Sequence, residues 1–144
     1  MYSCGRYHTV AILENENIRK VYSCGSNVNG QLGQPNHVTN LDKFTLVPGL
    51  EDIYPIMVVA TDYFTVVLDD KGDIYGWGWN RFAVFHGENN GRHLAHKILS
   101  HDKLPGIKFI AADDFRLLFI TNDGKVYISG NFRFGSGVFR VNGL

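Results

Sequence analysis

Six histidines are the first residues that could do chemistry, and four of them, His86, His93, His96 and His101, fall within one stretch of 16 residues. Two imidazoles in His93-X-X-His96 could reach one zinc ion. The stretch has no cysteine and no helical period, however, and a structural zinc site generally needs four ligands. We therefore expect no metal and no cofactor, and a solvated loop instead. His8 could serve as a base, but no nucleophile or acid stands at a recognisable spacing from it, so no catalytic residue is assigned. Asp69-Asp70 lies in a turn and Asp113-Asp114 beside a strand start, where paired carboxylates are expected to be solvated. Gly76-Trp77-Gly78 is too short to cradle a phosphate, and no helix follows it to supply amide donors. The two cysteines, Cys4 and Cys24, read as reduced thiols.

Composition narrows the classes further. Fourteen Lys and Arg balance fourteen Asp and Glu, so no long-range field draws nucleic acid or an anionic membrane to the molecule. Neither is expected as a partner. No apolar run approaches the roughly 18 residues that span a bilayer, and the N-terminal residues lack a basic segment followed by an apolar one. A cytoplasmic or nuclear location is the expectation.

The elements that must position these residues come from an internal repeat. Val21-Tyr-Ser-Cys-Gly25, Ile74-Tyr-Gly-Trp-Gly78 and Val126-Tyr-Ile-Ser-Gly130 place their terminal glycines 53 and 52 residues apart. Each phrase follows an apolar run and a polar turn, which predicts β-hairpins over about residues 7–25, 64–78 and 116–130. Lys71-Gly72 and Asp123-Gly124 supply the positive φ of a tight turn, and the first unit is expected to have a turn three residues longer. A second phrase, Val47-Pro-Gly-Leu50, Leu104-Pro-Gly-Ile107 and Val141-Asn-Gly-Leu144, closes each unit. The units are 1–50, 51–107 and 108–144 of a single repeat domain. A period near 50 with several short strands is the pattern of four-stranded propeller blades, so the fold expected is all-β, an incomplete propeller of about three blades. No strand equivalent to Ile56–Ala60 precedes Cys4, so the sequence is expected to open inside a unit.

Gly5-Arg-Tyr-His8-Thr-Val-Ala-Ile12, followed by Val21-Tyr-Ser-Cys-Gly25-Ser-Asn27-Val-Asn-Gly30-Gln-Leu-Gly33, resembles the repeat of the regulator of chromosome condensation family. Unit two resembles it in Asp73-Ile-Tyr-Gly-Trp77-Gly-Trp-Asn80. It has Thr61 and Phe64 at the glycine and histidine positions, and Ala83-Val-Phe-His86 in place of Gly-Gln-Leu-Gly. Unit three keeps Gly124-Lys-Val-Tyr-Ile-Ser-Gly130 and has Asp113 and Arg116 at those positions. The resemblance implies structural roles for Gly5, His8, Gly25, Gly30, Gly33, Gly72, Gly78, Gly124 and Gly130, and a Trp77 packed between blades.

Function, on this reading, lies in a binding surface: a non-catalytic scaffold for a protein partner. Two long connections, 28–44 and 82–103, read as recognition loops on a rigid frame. The second has lost the Gly-Gln-Leu-Gly turn and gained apolar residues beside basic ones. Trp79, Asn80, Arg81, Phe82, Phe85, Arg92 and Lys97 are the candidate partner-binding residues. Two other readings stand beside it. The resemblance implies guanine-nucleotide exchange on a small GTPase such as Ran, which needs a broader ring face than three blades offer. An open arc also suits a structural subunit whose exposed edges other chains complete or cover.

Overall fold

The computed structural model describes residues 1–80, 84–85, 92–132 and 135–141. They form three four-stranded antiparallel sheets. The first holds β1 (Tyr2–Cys4), β2 (His8–Asn15), β3 (Ile18–Ser26) and β4 (Asn40–Leu46). The second holds β5 (Pro55–Ala60), β6 (Phe64–Asp69), β7 (Ile74–Gly78) and β8 (Arg92–Leu99). The third holds β9 (Ile107–Ala112), β10 (Arg116–Thr121), β11 (Val126–Phe132) and β12 (Gly135–Arg140). Each sheet is a meander in chain order, as in an incomplete β-propeller. The one helical element among the described residues is a 3-10 turn, His101–Lys103.

Local chemistry explains the hairpins. Asp69 Oδ1 accepts the backbone N–H of Lys71 at 3.0 Å and of Asp73 at 2.8 Å, which ties the β6–β7 turn to a buried carboxylate. In the first sheet the three extra residues lengthen strands rather than the turn. Asn15 pairs with Ile18, and Glu16 and Asn17 both have positive φ, at 49° and 65°. Two left-handed residues make a turn whose twist matches the strands it joins.

Three expectations are corrected by the sheets. Tyr2–Cys4 pairs with Thr9–Ala11, so the first blade does have the strand that seemed to be missing. The two long connections are not continuous loops either, since each carries the fourth strand of its blade, β4 or β8. Asp69 is buried rather than solvated, because its oxygens cap the turn from within.

Blades pack face to face. Alternate residues of each strand point to opposite sides. Val10, Ile12 and Val21 meet Val58, Val67 and Trp77 across the first seam. Phe64, Val66, Leu68 and Ile74 meet Ile107, Ile110, Leu117 and Phe119 across the second. Burying each such side chain contributes roughly 1.5–3 kcal/mol before chain entropy is counted.

At the end of the third strand in each blade the chain folds over the bend before the second. Gly25, Gly78 and Gly130 stand there with φ of 104°, 101° and 153°. A Cβ at these positions would lie 2.4, 2.5 and 2.6 Å from the carbonyl oxygens of Tyr7, Tyr63 and Phe115. No side chain fits without moving backbone.

Candidate interaction surface

The first seam contains a buried polar chain. Thr65 Oγ1 donates to the Gln31 carbonyl at 3.0 Å, and Trp77 Nε1 donates to the same oxygen at 2.9 Å. His8 Nε2 lies 2.9 Å from Thr65 Oγ1, and because the threonine proton is committed to Gln31, the imidazole is the donor in that pair. Burial lowers the His8 pKa to about 4, against a weaker upward pull from Asp62, so the ring is neutral at physiological pH. His8 therefore seals two blades together. Gly5 lies under its ring, where a Cβ would come 2.1 Å from the Thr61 carbonyl oxygen.

Seam two repeats the device with different residues. Ser129, which pairs with Leu117 as Trp77 pairs with Thr65, donates to the Val84 carbonyl at 2.7 Å. Val84 and Gln31 are equivalent, as the turns around them show. In blade one Asn27 Oδ1 accepts from Leu32 N at 3.0 Å, and its amide donates to the Val38 carbonyl at 2.8 Å. In blade two Asn80 Oδ1 accepts from Phe85 N at 2.9 Å while its Nδ2 donates to the Phe85 carbonyl at 2.7 Å. Phe85 thus takes the place of Leu32 as a buried plug, set edge-on to Phe64 with centroids 5.3 Å apart. Gly30 and Gly33 frame the blade-one turn at φ of 75° and 68°, and a Cβ on Gly33 would meet Val47 at 2.9 Å.

These contacts remove two residues from the candidate surface. Asn80 is fully buried and Phe85 is 1 % exposed, so neither reaches a partner. Phe85 packs in the seam between blades two and three, and Asn80 ties down the turn that carries it, an arrangement that the lost Gly-Gln-Leu-Gly pattern concealed.

A second buried carboxylate went unread in the sequence. Asp73, preceding β7, accepts the backbone N–H of His101 at 2.7 Å, the His101 ring at 2.6 Å and the Lys97 ammonium. Burial pushes its pKa up, but the His101 N–H, Lys97 and the His101 ring outweigh it and hold it at about 2. His101 also reaches Asp102 through its other nitrogen, at 3.2 Å. Lys97 lies over the Tyr75 ring as well, 5.6 Å from its centroid. Its charge is committed inside the chain, so it contributes to a surface only through its exposed edge. No sequence spacing signals a bond across 24 residues; only the pairing of β7 with β8 creates it.

Of the other candidate residues, Trp79 is half-buried and packs edge-on against Tyr63 at 5.4 Å and 78°. Arg92 begins β8 opposite Gly78. Arg81 and Phe82 lie outside the described residues, as do His86 and the turn around it. Gly72 and Gly124 hold their hairpin turns at φ of 88° and 80°. Among the described residues no group of three or more His, Cys, Asp or Glu converges as a metal-holding set. No helix among them is long and apolar enough to cross a membrane.

The geometry defines the class first: an arc of antiparallel blades sealed by main-chain carbonyls. Two family models described as the regulator of chromosome condensation (RCC1) repeat match the chain, one at residues 3–31 and 58–83, the other at 20–68. The chain belongs to this repeat family. It is 31 % identical over 138 residues to the human probable E3 ubiquitin-protein ligase HERC6, matching 92 % of the chain and 13 % of that protein. It is 28 % identical over 135 residues to the ultraviolet-B receptor UVR8 of Arabidopsis thaliana, matching 92 % of the chain and 29 % of the receptor. The chain thus spans less than a third of these relatives. Among solved structures, human WBSCR16 superposes with a TM-score of 0.86 at 17 % identity, over 99 % of this chain and 37 % of that one. Prp20p of Saccharomyces cerevisiae gives 0.78 at 17 % identity, over 99 % and 38 %, in a structure titled with its binding properties to Gsp1p and histones. At such identities the likeness is one of fold.

Proposed function

We propose that the chain is a non-catalytic scaffold that binds another protein. One observation supports this most. The buried groups with chemical potential, His8, Thr65, Asp69 and Asp73, are turned inward onto the chain's own turns and seams. A reactive group must face substrate; these hold blades and hairpins in place. One solved relative agrees in kind, since Prp20p, the yeast RCC1, is described with its binding to Gsp1p and histones in one structure and was solved bound to Kap60 in another.

The residues assigned to partner binding are Trp79, Arg81, Phe82, Arg92 and Lys97. An aromatic anchor with a cationic rim is the composition that interface cores favour. To test it, the tagged chain and its Trp79→Ser/Arg81→Glu variant are compared for recovery of cross-linked protein partners, with thermal melts of both. Lost partners at an unchanged melting temperature support this surface, and undiminished recovery refutes it. Exchange on a small GTPase is tested in the same preparation by release of labelled guanine nucleotide from Ran. No acceleration is expected, and a rate above the intrinsic one would replace the scaffold reading.

A further inference from the structure

The connections from the fourth strand of one blade to the first strand of the next take two different paths, and a groove follows from the difference. Register makes them comparable residue by residue. Val47 donates to the Val21 carbonyl where Leu99 pairs with Ile74, and Pro55 pairs with Asp69 where Ile107 pairs with Thr121. The stretches between these matched ends are equal in length, so Gly49 and Leu50 correspond to His101 and Asp102. In the first connection Gly49, at φ of 82°, leads into Leu50, which is 3 % exposed in the cluster that also holds Val47, Val58 and Trp77. In the second, Asp73 takes the backbone N–H and the ring of His101, and the chain enters a 3-10 turn instead. Asp102, at the place of Leu50, has a side chain 79 % exposed. Seam two therefore lacks the leucine that fills seam one.

What remains is an open groove of about 520 Å³ between blades two and three. Ile98, Leu99, Leu104 and Val138 line it and pack on the core beneath, with Lys97 and Lys103 beside them. Arg140 lies two residues beyond Val138, on the same face of β12, and is exposed. Both carboxylates of this corner are engaged. Asp73 holds Lys97 and His101, while Asp102 meets the other nitrogen of the His101 ring at 3.2 Å and the Ser100 hydroxyl at 3.3 Å. Lys103 and Arg140 thus leave the rim positive.

We infer that this groove takes an extended segment of a partner protein, which inserts one leucine-sized aliphatic side chain flanked by carboxylates. Seam one sets the size of that side chain, because Leu50 fills the corresponding place there. Lys103 and Arg140 set the charge of its neighbours. An apolar concavity with a few polar groups at its edge is the usual form of a binding site. The groove adjoins the Ile74 end of β7, whereas Trp79 follows Gly78 at the opposite end. It is a second contact, sharing only Lys97 with the residues assigned above, and rests on the scaffold reading only in taking the partner to be a protein.

The test titrates a fluorescent peptide, acetyl-Asp-Glu-Leu-Asp-Glu-amide, with the chain at low salt and follows anisotropy. Saturable binding is expected, weaker by about tenfold or more when serine replaces the peptide's leucine. His101→Gly/Asp102→Leu writes the Gly49-Leu50 pair of the first connection into the second, so the groove is filled from within and binding is expected to be lost. Lys103→Glu/Arg140→Glu changes two exposed residues and should weaken binding about tenfold at an unchanged melting temperature, which decides the point if the first variant fails to fold. Trp79→Ser/Arg81→Glu should bind the peptide as wild type does, whatever becomes of its partner recovery, so the two contacts fail separately. The inference is overturned if wild type shows no saturable binding at millimolar peptide, or if the leucine and serine peptides bind alike. Undiminished binding by the refilled or the charge-reversed variant overturns it too.

Discussion

Replacing Phe85 by alanine separates a core residue from an interface residue. The ring is 1 % exposed, edge-on to Phe64 at 5.3 Å and to His96 at 6.2 Å, and faces Gly76. Truncating a buried phenylalanine costs about 3–5 kcal/mol, of which the edge-on pair accounts for roughly 0.5–1.5 kcal/mol. The bonds to Asn80 use the main chain of Phe85 and survive the change, so no orphaned polar group adds to the cost. For a chain of this size each kcal/mol moves the melting temperature by about 3–5 °C, so a fall of roughly 9–25 °C is expected. Trp79→Ala, removing one half-buried edge contact, should cost only about 1 kcal/mol. Melts followed by far-ultraviolet circular dichroism, with partner recovery measured in parallel, read both variants. A Phe85→Ala chain that melts within about 4 °C of wild type yet loses its partners would refute the assignment of Phe85 to the core.

His8 binds a proton in the unfolded chain below about pH 6.5 but in the folded chain only below about 4. Stability is therefore complete above pH 6.5, falls as pH drops toward 4 by about 3 kcal/mol, and levels off below; denaturant midpoints for His8→Gln should lack this slope, and an unchanged slope would count against it. Gly78→Val should cost roughly 1–3 kcal/mol, since the new Cβ meets the Tyr63 carbonyl oxygen at 2.5 Å at a φ of 101°; an unaltered melting temperature would show that the strand end tolerates a side chain. Gly76→Ser and Phe85→Leu should each destabilise, because a Cβ at 76 comes 2.9 Å from the Phe85 ring and leucine leaves a void there. Together they rebuild the Ser23 and Leu32 arrangement of blade one, so the double variant should be more stable than the sum of the singles predicts, by about 1 kcal/mol; strict additivity would refute the equivalence.

The inner strands were legible because they are buried on one or both faces, and burial writes itself as runs such as Phe64–Leu68 or Leu117–Ile120. The fourth strands were not. Asn40–Leu46 is exposed at most of its positions, and Arg92–Leu99 mixes charge with aliphatic residues, so neither has a clean alternation to announce it. Tyr2–Cys4 is three residues long, too short for any periodic signal. Trp77 was legible as a residue between blades because it stands at the tryptophan position of the repeat the sequence resembles; its acceptor was not, because the acceptor is a main-chain oxygen. Asp73 and Lys97 meet only after β7 and β8 pair, which local spacing does not encode. Asn80 and Phe85 misled for a different reason, as apolar residues at an unfamiliar turn look like a surface until the turn is seen to point inward.

The decay of the repeat from unit one to unit three follows from what the seams read. Thr65, Trp77 and Ser129 all address carbonyl oxygens of the neighbouring turn, at Gln31 or Val84, and a carbonyl is present whatever side chain the residue carries. Glutamine can therefore give way to valine without losing the seam. The donor can change too: an indole N–H and a serine hydroxyl do the same work at equivalent places. The plug position is stricter, demanding an apolar side chain of a volume set by the residue opposite. Leu32 goes with Ser23, and Phe85 with Gly76, so bulk gained on one strand is given up on the other. The glycines at 25, 78 and 130 have no such exchange open to them, because what they touch is backbone. They are among the positions at which all three units still agree, as are Tyr22, Tyr75 and Tyr127.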